Sequence, residues 1–225
     1  THSTSSAASD VYKRQVLDSY WLMIHVAVIV GSYGPFAIGM ILGIVVLLLT
    51  IIANKKNRKS FVKKLEELTI VNELSLTIGL VMLTIGNFLG GMWANESWGR
   101  YWGWYPKETW ALISIIVYTA VLHLRIVPKL NNKWLFNLLS IISFGAILMT
   151  YFGVNFYLVG LHSYASGDKV ITPDFVYYSI GFIIILGLIS STILAMETLL
   201  SLIHISDTTR RYRISYYVLC VKKGG

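Results

Sequence analysis

Five long apolar blocks, separated by short polar stretches, restrict the fold of this chain more than any other feature. Each block has the roughly 17–25 apolar residues needed to cross a hydrocarbon core about 30 Å thick. A backbone in lipid must satisfy its own hydrogen bonds, and no alternating barrel pattern is present, so each block is predicted to be a helix. The predicted fold is all-α, a polytopic transmembrane helix bundle of about five spans with a tryptophan-rich external loop. These spans are Val26–Ile52, Leu74–Met92, Trp110–Val127, Leu135–Val154 and Phe175–Met196.

Composition excludes several other classes of protein. Charged residues make up 13% of the 225 residues, about half the share of roughly 25% in soluble domains. This deficit excludes a disordered chain and argues against an ordinary soluble enzyme. The net charge of +8 arises mainly at the two ends, so nucleic acid is not expected as a partner, whereas a lipid bilayer is. The terminal basic residues are Lys13, Arg14, Arg210, Arg211, Arg213, Lys222 and Lys223.

The two ends differ in composition from the rest of the chain. Residues 10–15 and 201–223 resemble translated sequencing-adapter read-through, and they are left out of the fold prediction. The alternative is an ordinary polar amino terminus and a basic cytoplasmic tail. We therefore predict a non-native or disordered head over residues 1–15, a transmembrane domain over 16–200 cut from a longer protein, and an artefactual basic tail over 201–225. The transmembrane domain contains no cysteine, which removes thiolate chemistry from it.

The loop charges predict the orientation of the spans. Six basic residues and no acid lie in Asn54–Lys64, and the loop after the third span is also basic. The loops 94–109 and 155–174 are balanced or acidic. The positive-inside rule places the basic loops in the cytoplasm and the other two outside.

Three histidines lie in the predicted transmembrane domain. In the predicted topology, His25 lies at the outer mouth of the first span and His162 lies in an external loop at the same surface. His123 lies about 20 Å further inward along the third span. Each taken alone fits a hydrogen-bonded packing histidine, but an ionisable side chain at membrane depth is more often functional.

A tryptophan-rich stretch, Trp93–Leu112, is the strongest local signal. An interfacial aromatic belt is the structural alternative, but a belt needs only one or two aromatic residues per helix end. Five tryptophans within 18 residues predict an apolar platform for a large planar ligand, with cations for its acidic groups. A porphyrin has these properties, and its iron takes axial imidazoles. The candidate platform and charge residues are Trp98, Arg100, Trp102, Trp104, Lys107 and Trp110.

The segment WGRYWGWYPKETWAL resembles the "WWD" signature, WGxYWxWDPKETWAL, of the haem-handling family that contains CcsA, CcmC and CcmF. SYWLMIHV, VLHLR and YFGVNFYLVGLHSYA also match, and together these motifs resemble most closely the carboxy-terminal part of the CcsA branch. The resemblance implies that His25 and His162 are axial ligands of haem b. It implies that His123 belongs to a transmembrane haem site facing the cytoplasmic side.

The resemblance also implies a role in cytochrome c biogenesis. Haem is presented at the outer face for thioether attachment to the CxxCH motif of an apocytochrome c, with a CcsB-like partner that is separate or fused upstream. The implied location is the bacterial cytoplasmic membrane, with a thylakoid membrane as the alternative. A carrier of the CcmC type, which delivers haem to a chaperone without catalysing attachment, is the alternative function. A generic transporter bundle with an aromatic belt ranks last, because it leaves the histidines unexplained.

One residue departs from the family signature. The family has Asp where this chain has Tyr105, which removes a carboxylate and adds bulk. Tyrosine can still stack on a macrocycle but provides no fixed anionic acceptor. We therefore expect this chain to be part of a cytochrome c synthase, but the sequence does not predict whether it attaches haem itself.

Overall fold

The computed structural model describes residues 20–53, 58–158 and 172–222. The regular elements of this described part are all helical, which confirms the all-α prediction. They are α1 (Tyr20–Ile52), α2 (Arg58–Trp98), α3 (Pro106–His123), α4 (Lys133–Leu148), a π-helical turn (Met149–Gly153), α5 (Val154–Tyr157) and α6 (Asp174–Lys222).

Four segments in the described part are long and apolar enough to cross a membrane, so the chain is a multi-pass membrane protein. They lie in α1, in α2, across α4 to α5, and in α6 up to Met196. The third predicted span corresponds to α3, which is not among these four. This helix has 18 residues, about 27 Å, and begins with Pro106, Lys107 and Glu108. A fifth crossing therefore depends on α3, whose first turn is charged.

Helix α2 is longer than the second predicted span at both ends. It begins at Arg58 and so contains most of the stretch 54–64 that was predicted as a loop; residues 54–57 lie outside the described part. Lysine, leucine and glutamate are good helix formers, and Lys63 lies 3.9 Å from Glu67 one turn later. The helix therefore continues past the apolar block.

Helices α1 and α2 pack antiparallel, with a large residue on one helix facing a glycine on the other. Phe36 of α1 lies against Gly79 of α2, and Ile29 lies against Gly86. In the other direction, Gly39 of α1 faces Leu76 of α2. Small residues at such positions let two membrane helices approach closely, which strengthens their van der Waals contact.

The core lies between α1, α2, α3 and α4. The rings of Phe36 and Tyr118 stack with centroids 4.0 Å apart, and both side chains are fully buried. A second cluster joins Leu47, Ile141 and Leu186, which brings α6 against α1 and α4. Only 11% of the apolar window in α6 is buried inside the protein, as expected of a helix facing lipid.

Helix α6 continues from Asp174 to Lys222, through the predicted domain boundary at residue 200. A helical backbone does not distinguish an authentic tail from a foreign one. The origin of residues 201–225 therefore stays a prediction, and residues 1–15 lie outside the described part.

Candidate functional site

The tryptophan-rich stretch is mostly helical and turns the chain between α2 and α3 within seven residues, 99–105. Gly99 ends α2 at a φ of 69°, a left-handed conformation that favours glycine. Pro106 begins α3, and the carboxylate of Glu108 accepts hydrogen bonds from the backbone N–H groups of Gly103 (2.9 Å) and Tyr105 (3.3 Å). This side chain therefore fixes the turn onto the first turn of α3.

Trp104 is held in an unusual backbone conformation. Its φ of 57° makes it the one non-glycine residue in the described part with a positive φ. For such a bulky residue this conformation costs on the order of 1–2 kcal/mol. Its indole is 72% exposed and meets Trp102 edge-on at 5.7 Å. The turn therefore presents a large apolar side chain outward at an energetic cost, which is a common feature of ligand sites.

His25 lies near the start of α1, against the last part of α2. Its Nδ1–H donates a hydrogen bond of 2.8 Å to the carbonyl oxygen of Gly86. The imidazole is nearly parallel to the indole of Trp93, at an interplanar angle of 7° and a centroid distance of 6.5 Å. The ring is therefore held by groups from α2 on more than one side.

A cavity of about 90 Å³ lies beside this imidazole. The residues that line it come from α1, α2, the turn, α3 and the π-helical turn, and they include His25, Trp93, Trp98, Trp102, Lys107 and Thr150. The indole Nε1–H of Trp102 is buried and has no hydrogen-bond partner among the described residues. An unpaired buried donor costs about 1–3 kcal/mol, so this group is suited to an acceptor on a ligand.

The two basic residues of the tryptophan-rich stretch, Lys107 and Arg100, have different surroundings. Lys107 is half-buried at the cavity, its Nζ lies 3.5 Å from Oδ1 of Asn155, and burial lowers the pKa of its ammonium group. Arg100 is exposed, donates a hydrogen bond to the hydroxyl of Tyr105, and lies over that ring at 5.2 Å. Lys107 is therefore directed to the cavity, whereas Arg100 is engaged by Tyr105.

The structure brings together some of the predicted site residues and separates others. His25, Trp98, Trp102 and Lys107 line one cavity, and Trp104 contacts Trp102. Trp110 instead lines a separate apolar groove of about 560 Å³ between α3 and α4.

The other two histidines are not part of this cavity. His123 is the last residue of α3 and exposed, and its Nδ1–H donates a hydrogen bond of 2.7 Å to the carbonyl of Thr119. It therefore lies at the opposite end of α3 from the cavity. His162 lies outside the described residues, so its pairing with His25 stays a prediction.

Several residues at the site were missed at the level of sequence. Gly86 accepts a hydrogen bond from His25, and Gly90 lies against its ring. The π-helical turn at 149–153 brings Thr150 to the carbonyl of Trp110 at 3.1 Å. The two glycines four residues apart were a readable sign of close helix packing, whereas a π-helical turn leaves no comparable signal.

This geometry defines a class of protein: a multi-pass helical membrane protein with a cavity at one end that is lined by histidine and tryptophan. The family model described as "Cytochrome C assembly protein" matches residues 4–162, and the chain belongs to that family. This match confirms the resemblance that the tryptophan-rich motif carries.

Individual relatives agree with this assignment. Protein NrfI of Wolinella succinogenes is 56% identical over 155 residues, which cover 69% of this chain and 17% of the relative. The cytochrome c biogenesis protein CcsA of Prochlorococcus marinus is 39% identical, covering 66% of this chain and 55% of the relative. CcsA of Guillardia theta is 38% identical, covering 72% and 61%. The chain thus spans little more than half the length of these CcsA proteins.

Proposed function

We propose that this chain is the haem-handling part of a membrane protein of cytochrome c biogenesis, and that it holds haem b at the cavity beside His25. The observation that carries the proposal is the imidazole of His25, anchored through Nδ1 at a cavity lined by Trp93, Trp98 and Trp102. An anchored imidazole beside aromatic walls is suited to bind iron and to contact a porphyrin ring.

The residues at the cavity fit haem in their chemistry. A backbone carbonyl can only accept a hydrogen bond, so Nδ1 of His25 carries the proton and Nε2 of the neutral ring retains the lone pair that iron needs. The unpaired Nε1–H of Trp102 and the ammonium of Lys107 are suited to the carboxylates of haem. The cavity therefore offers haem one iron ligand, His25, one neutral hydrogen-bond donor, Trp102, and one cation, Lys107.

The cavity is smaller than a haem. Its volume of about 90 Å³ is well below the roughly 300–1,000 Å³ of pockets that enclose a whole ligand. A ring bound here needs surface outside the cavity, and the exposed side chains of Trp104 and Tyr101 supply apolar area beside it. The proposed second axial ligand is His162, on the segment that follows α5.

Haem supplies two vinyl groups, to which the thiols of a CxxCH motif add. The protein's own groups would bind and orient haem: His25 would ligate the iron, the indoles would exclude water, and Lys107 would pair with the carboxylates. This role requires apocytochrome c as substrate and agrees with a transmembrane domain that contains no cysteine. A CcsB-like protein is the proposed partner.

The proposed orientation places the cavity on the non-cytoplasmic side. One end of the bundle contains His25, the tryptophan-rich turn and Asn155. The basic segment 125–133 follows α3 at the other end. The positive-inside rule then places the cavity outside. The proposed membrane is the bacterial cytoplasmic membrane, and His123 at the basic end is the proposed site where haem is received from the cytoplasmic side.

The proposal is tested by expressing the full chain in membranes and measuring the haem content and absorption spectrum of the purified protein. We expect His25→Ala to reduce haem content and to remove the six-coordinate, low-spin spectrum. Met23→Ala is the matched control, because Met23 lies on the same helix and its side chain is 71% exposed. Unchanged haem content and ligation in His25→Ala would contradict the proposal.

A second measurement separates attachment from carriage. The chain is co-expressed with a CxxCH apocytochrome c, and covalent haem is measured by haem staining after denaturing electrophoresis. Covalent haem on the apocytochrome supports the synthase role. Haem binding without attachment supports a carrier, and the replacement Tyr105→Asp then shows whether the signature carboxylate restores attachment.

A further inference from the structure

Two glycines of α2 leave the space in which His25 and its neighbour on α1 lie. A Cβ atom on Gly90 would lie 2.5 Å from Cε1 and 2.7 Å from Nδ1 of the His25 ring. A Cβ atom on Gly86 would lie 2.9 Å from Cγ1 of Ile29, one turn along α1. Non-bonded carbon atoms do not approach this closely, so any side chain at position 90 must displace the imidazole.

The backbone of Gly86 determines which ring nitrogen of His25 carries the proton. Its carbonyl oxygen accepts the Nδ1–H at 2.8 Å, which leaves the lone pair on Nε2. Histidines that bind metals commonly donate their other ring N–H to a backbone carbonyl in this way, and the contact fixes both tautomer and orientation.

Trp93 also lies beside the His25 ring, with centroids 6.5 Å apart. The two rings are nearly parallel at 7°, and Trp93 lies on α2 three residues after Gly90. A displaced imidazole at position 25 would lose this stacking together with the hydrogen bond to Gly86. The three contacts therefore specify one ring orientation.

We infer that Gly86 and Gly90 are positioning residues for His25: the carbonyl of Gly86 selects Nε2 as the nitrogen that faces a ligand, and Gly90 supplies the space that this orientation needs. The inference rests on the proposed function, in which His25 binds haem iron. It assigns to the close packing of α1 and α2 a role in ligand geometry besides stability.

The test compares two overpacking substitutions on the same helix. A Cβ atom on Gly90 meets the His25 ring, whereas a Cβ atom on Gly79 would meet the ring of Phe36 at 3.0 Å, away from the cavity. We expect Gly90→Ala to reduce haem content about 10-fold or more, the usual effect of losing support to a metal ligand. We expect Gly79→Ala to leave haem content and the low-spin spectrum unchanged.

A stability measurement separates ring displacement from a folding defect. The free energy of unfolding in detergent is measured for Gly90→Ala and Gly79→Ala, since each substitution adds one Cβ atom to the interface of α1 and α2. We expect both variants to lose stability, with the loss of haem confined to Gly90→Ala. A loss of haem in Gly79→Ala equal to that in Gly90→Ala would overturn the inference, because it would show a general structural effect.

The outcomes also distinguish this inference from the function on which it rests. If His25→Ala loses haem but Gly90→Ala behaves like Gly79→Ala, the positioning inference is wrong and the proposed function stands. If His25→Ala keeps its haem and its axial ligation, the proposed function fails, and the inference fails with it.

Discussion

The two ends of the helix bundle differ in how their buried polar groups are satisfied. At the end that we call the network end, Thr69, Asn72, Asn137 and Ser140 form a buried cluster. Asn137 donates to Thr69 at 2.9 Å, and Asn72 donates to Asn137 at 2.9 Å and to Ser140 at 3.1 Å. Within the cluster, Oδ1 of Asn72 is the one buried side-chain atom without a partner in the described part.

The end with the cavity, which we call the site end, differs in its backbone and in the group that it leaves unpaired. The buried Nε1–H of Trp102 has no partner among the described residues, Trp104 has a positive φ, and a π-helical turn interrupts the membrane-crossing segment that runs from α4 to α5. Gly90 at this end lies about 27 Å along α2 from Asn72. Each end thus has one buried side-chain atom without a partner in the described part, but the atom at the site end, Nε1 of Trp102, belongs to a residue that lines the cavity, where a ligand can reach it.

The largest expected effect concerns the network end. Asn137→Ala removes one hydrogen-bond partner each from Thr69 and Asn72, which are both buried; Thr69 keeps its bond to the carbonyl of Leu65, and Asn72 keeps its bond to Ser140. We expect a loss of about 2–3 kcal/mol in the free energy of unfolding, because two buried hydrogen bonds are lost and the removed side chain leaves a cavity. The measurement is an unfolding titration in detergent. Asn155→Ala at the site end is the control, and an equal loss there would contradict the proposed difference between the ends.

A pair of tryptophan replacements compares the ends directly. At the network end, Nε1–H of Trp134 donates to the buried Ser190 at 2.9 Å, whereas Nε1–H of Trp102 has no partner in the described part. We expect Trp134→Phe to cost about 1 kcal/mol of stability and to leave haem content unchanged. We expect Trp102→Phe to weaken haem retention about 10-fold, the effect of one lost hydrogen bond to a charged group.

This second prediction is checked by haem content after washing in detergent, with the unfolding free energy measured on the same samples. A Trp102→Phe protein that retains haem like the parent chain would show that the indole N–H does not contact the ligand.

Helix capping provides a smaller comparison. Tyr105 occupies the N-cap position of α3 with an extended backbone, and tyrosine is a poor capping residue. The side chain of an aspartate at this position can accept a hydrogen bond from a backbone N–H group of the first turn, and its negative charge is stabilised by the positive end of the helix dipole. We expect Tyr105→Asp to add about 1 kcal/mol to the free energy of unfolding.

The control for this prediction lies at the network end. Asn132 caps α4 and accepts a 2.9 Å hydrogen bond from the backbone N–H of Trp134. Asn132→Ala should therefore lose about the same free energy that Tyr105→Asp gains. No gain in Tyr105→Asp would indicate that the signature carboxylate acts on the ligand and not on the helix.

The smallest expected effect concerns the ion pairs of the network end. Lys133 and Glu66 are 3.2 Å apart and about half-exposed. A double-mutant cycle with Lys133→Met and Glu66→Gln should give a coupling of about 0.5 kcal/mol or less, because solvent screens an exposed pair. A coupling above about 1 kcal/mol would show that charge pairing also contributes to holding the network end.

Several features of this fold could be predicted without coordinates. The apolar blocks predicted a multi-pass helical protein, and the loop charges put His25 and the tryptophan-rich stretch at one end of the bundle, where they lie. The motif predicted the family correctly. These signals are carried by continuous stretches of sequence.

Other features at the site could not be predicted. Arg100 was expected to face a ligand but is engaged by Tyr105, and Trp110 lines a groove on another side of α3. The tryptophan-rich stretch was expected to be an external loop, yet Trp93 and Trp98 lie on α2. The direction of each side chain depends on the rotation of its helix about the helix axis and on the backbone conformation of Trp104. Neither can be predicted from the residues in this stretch.

Lipid explains why the helices of this chain can be predicted from local sequence. Each apolar block must satisfy its backbone internally, so hydrophobicity alone makes it a helix. The contact between His25 and Gly90 depends instead on the axial register of α1 against α2, two segments more than sixty residues apart. Lipid favours no particular register, so van der Waals packing and a few hydrogen bonds between the folded helices determine it.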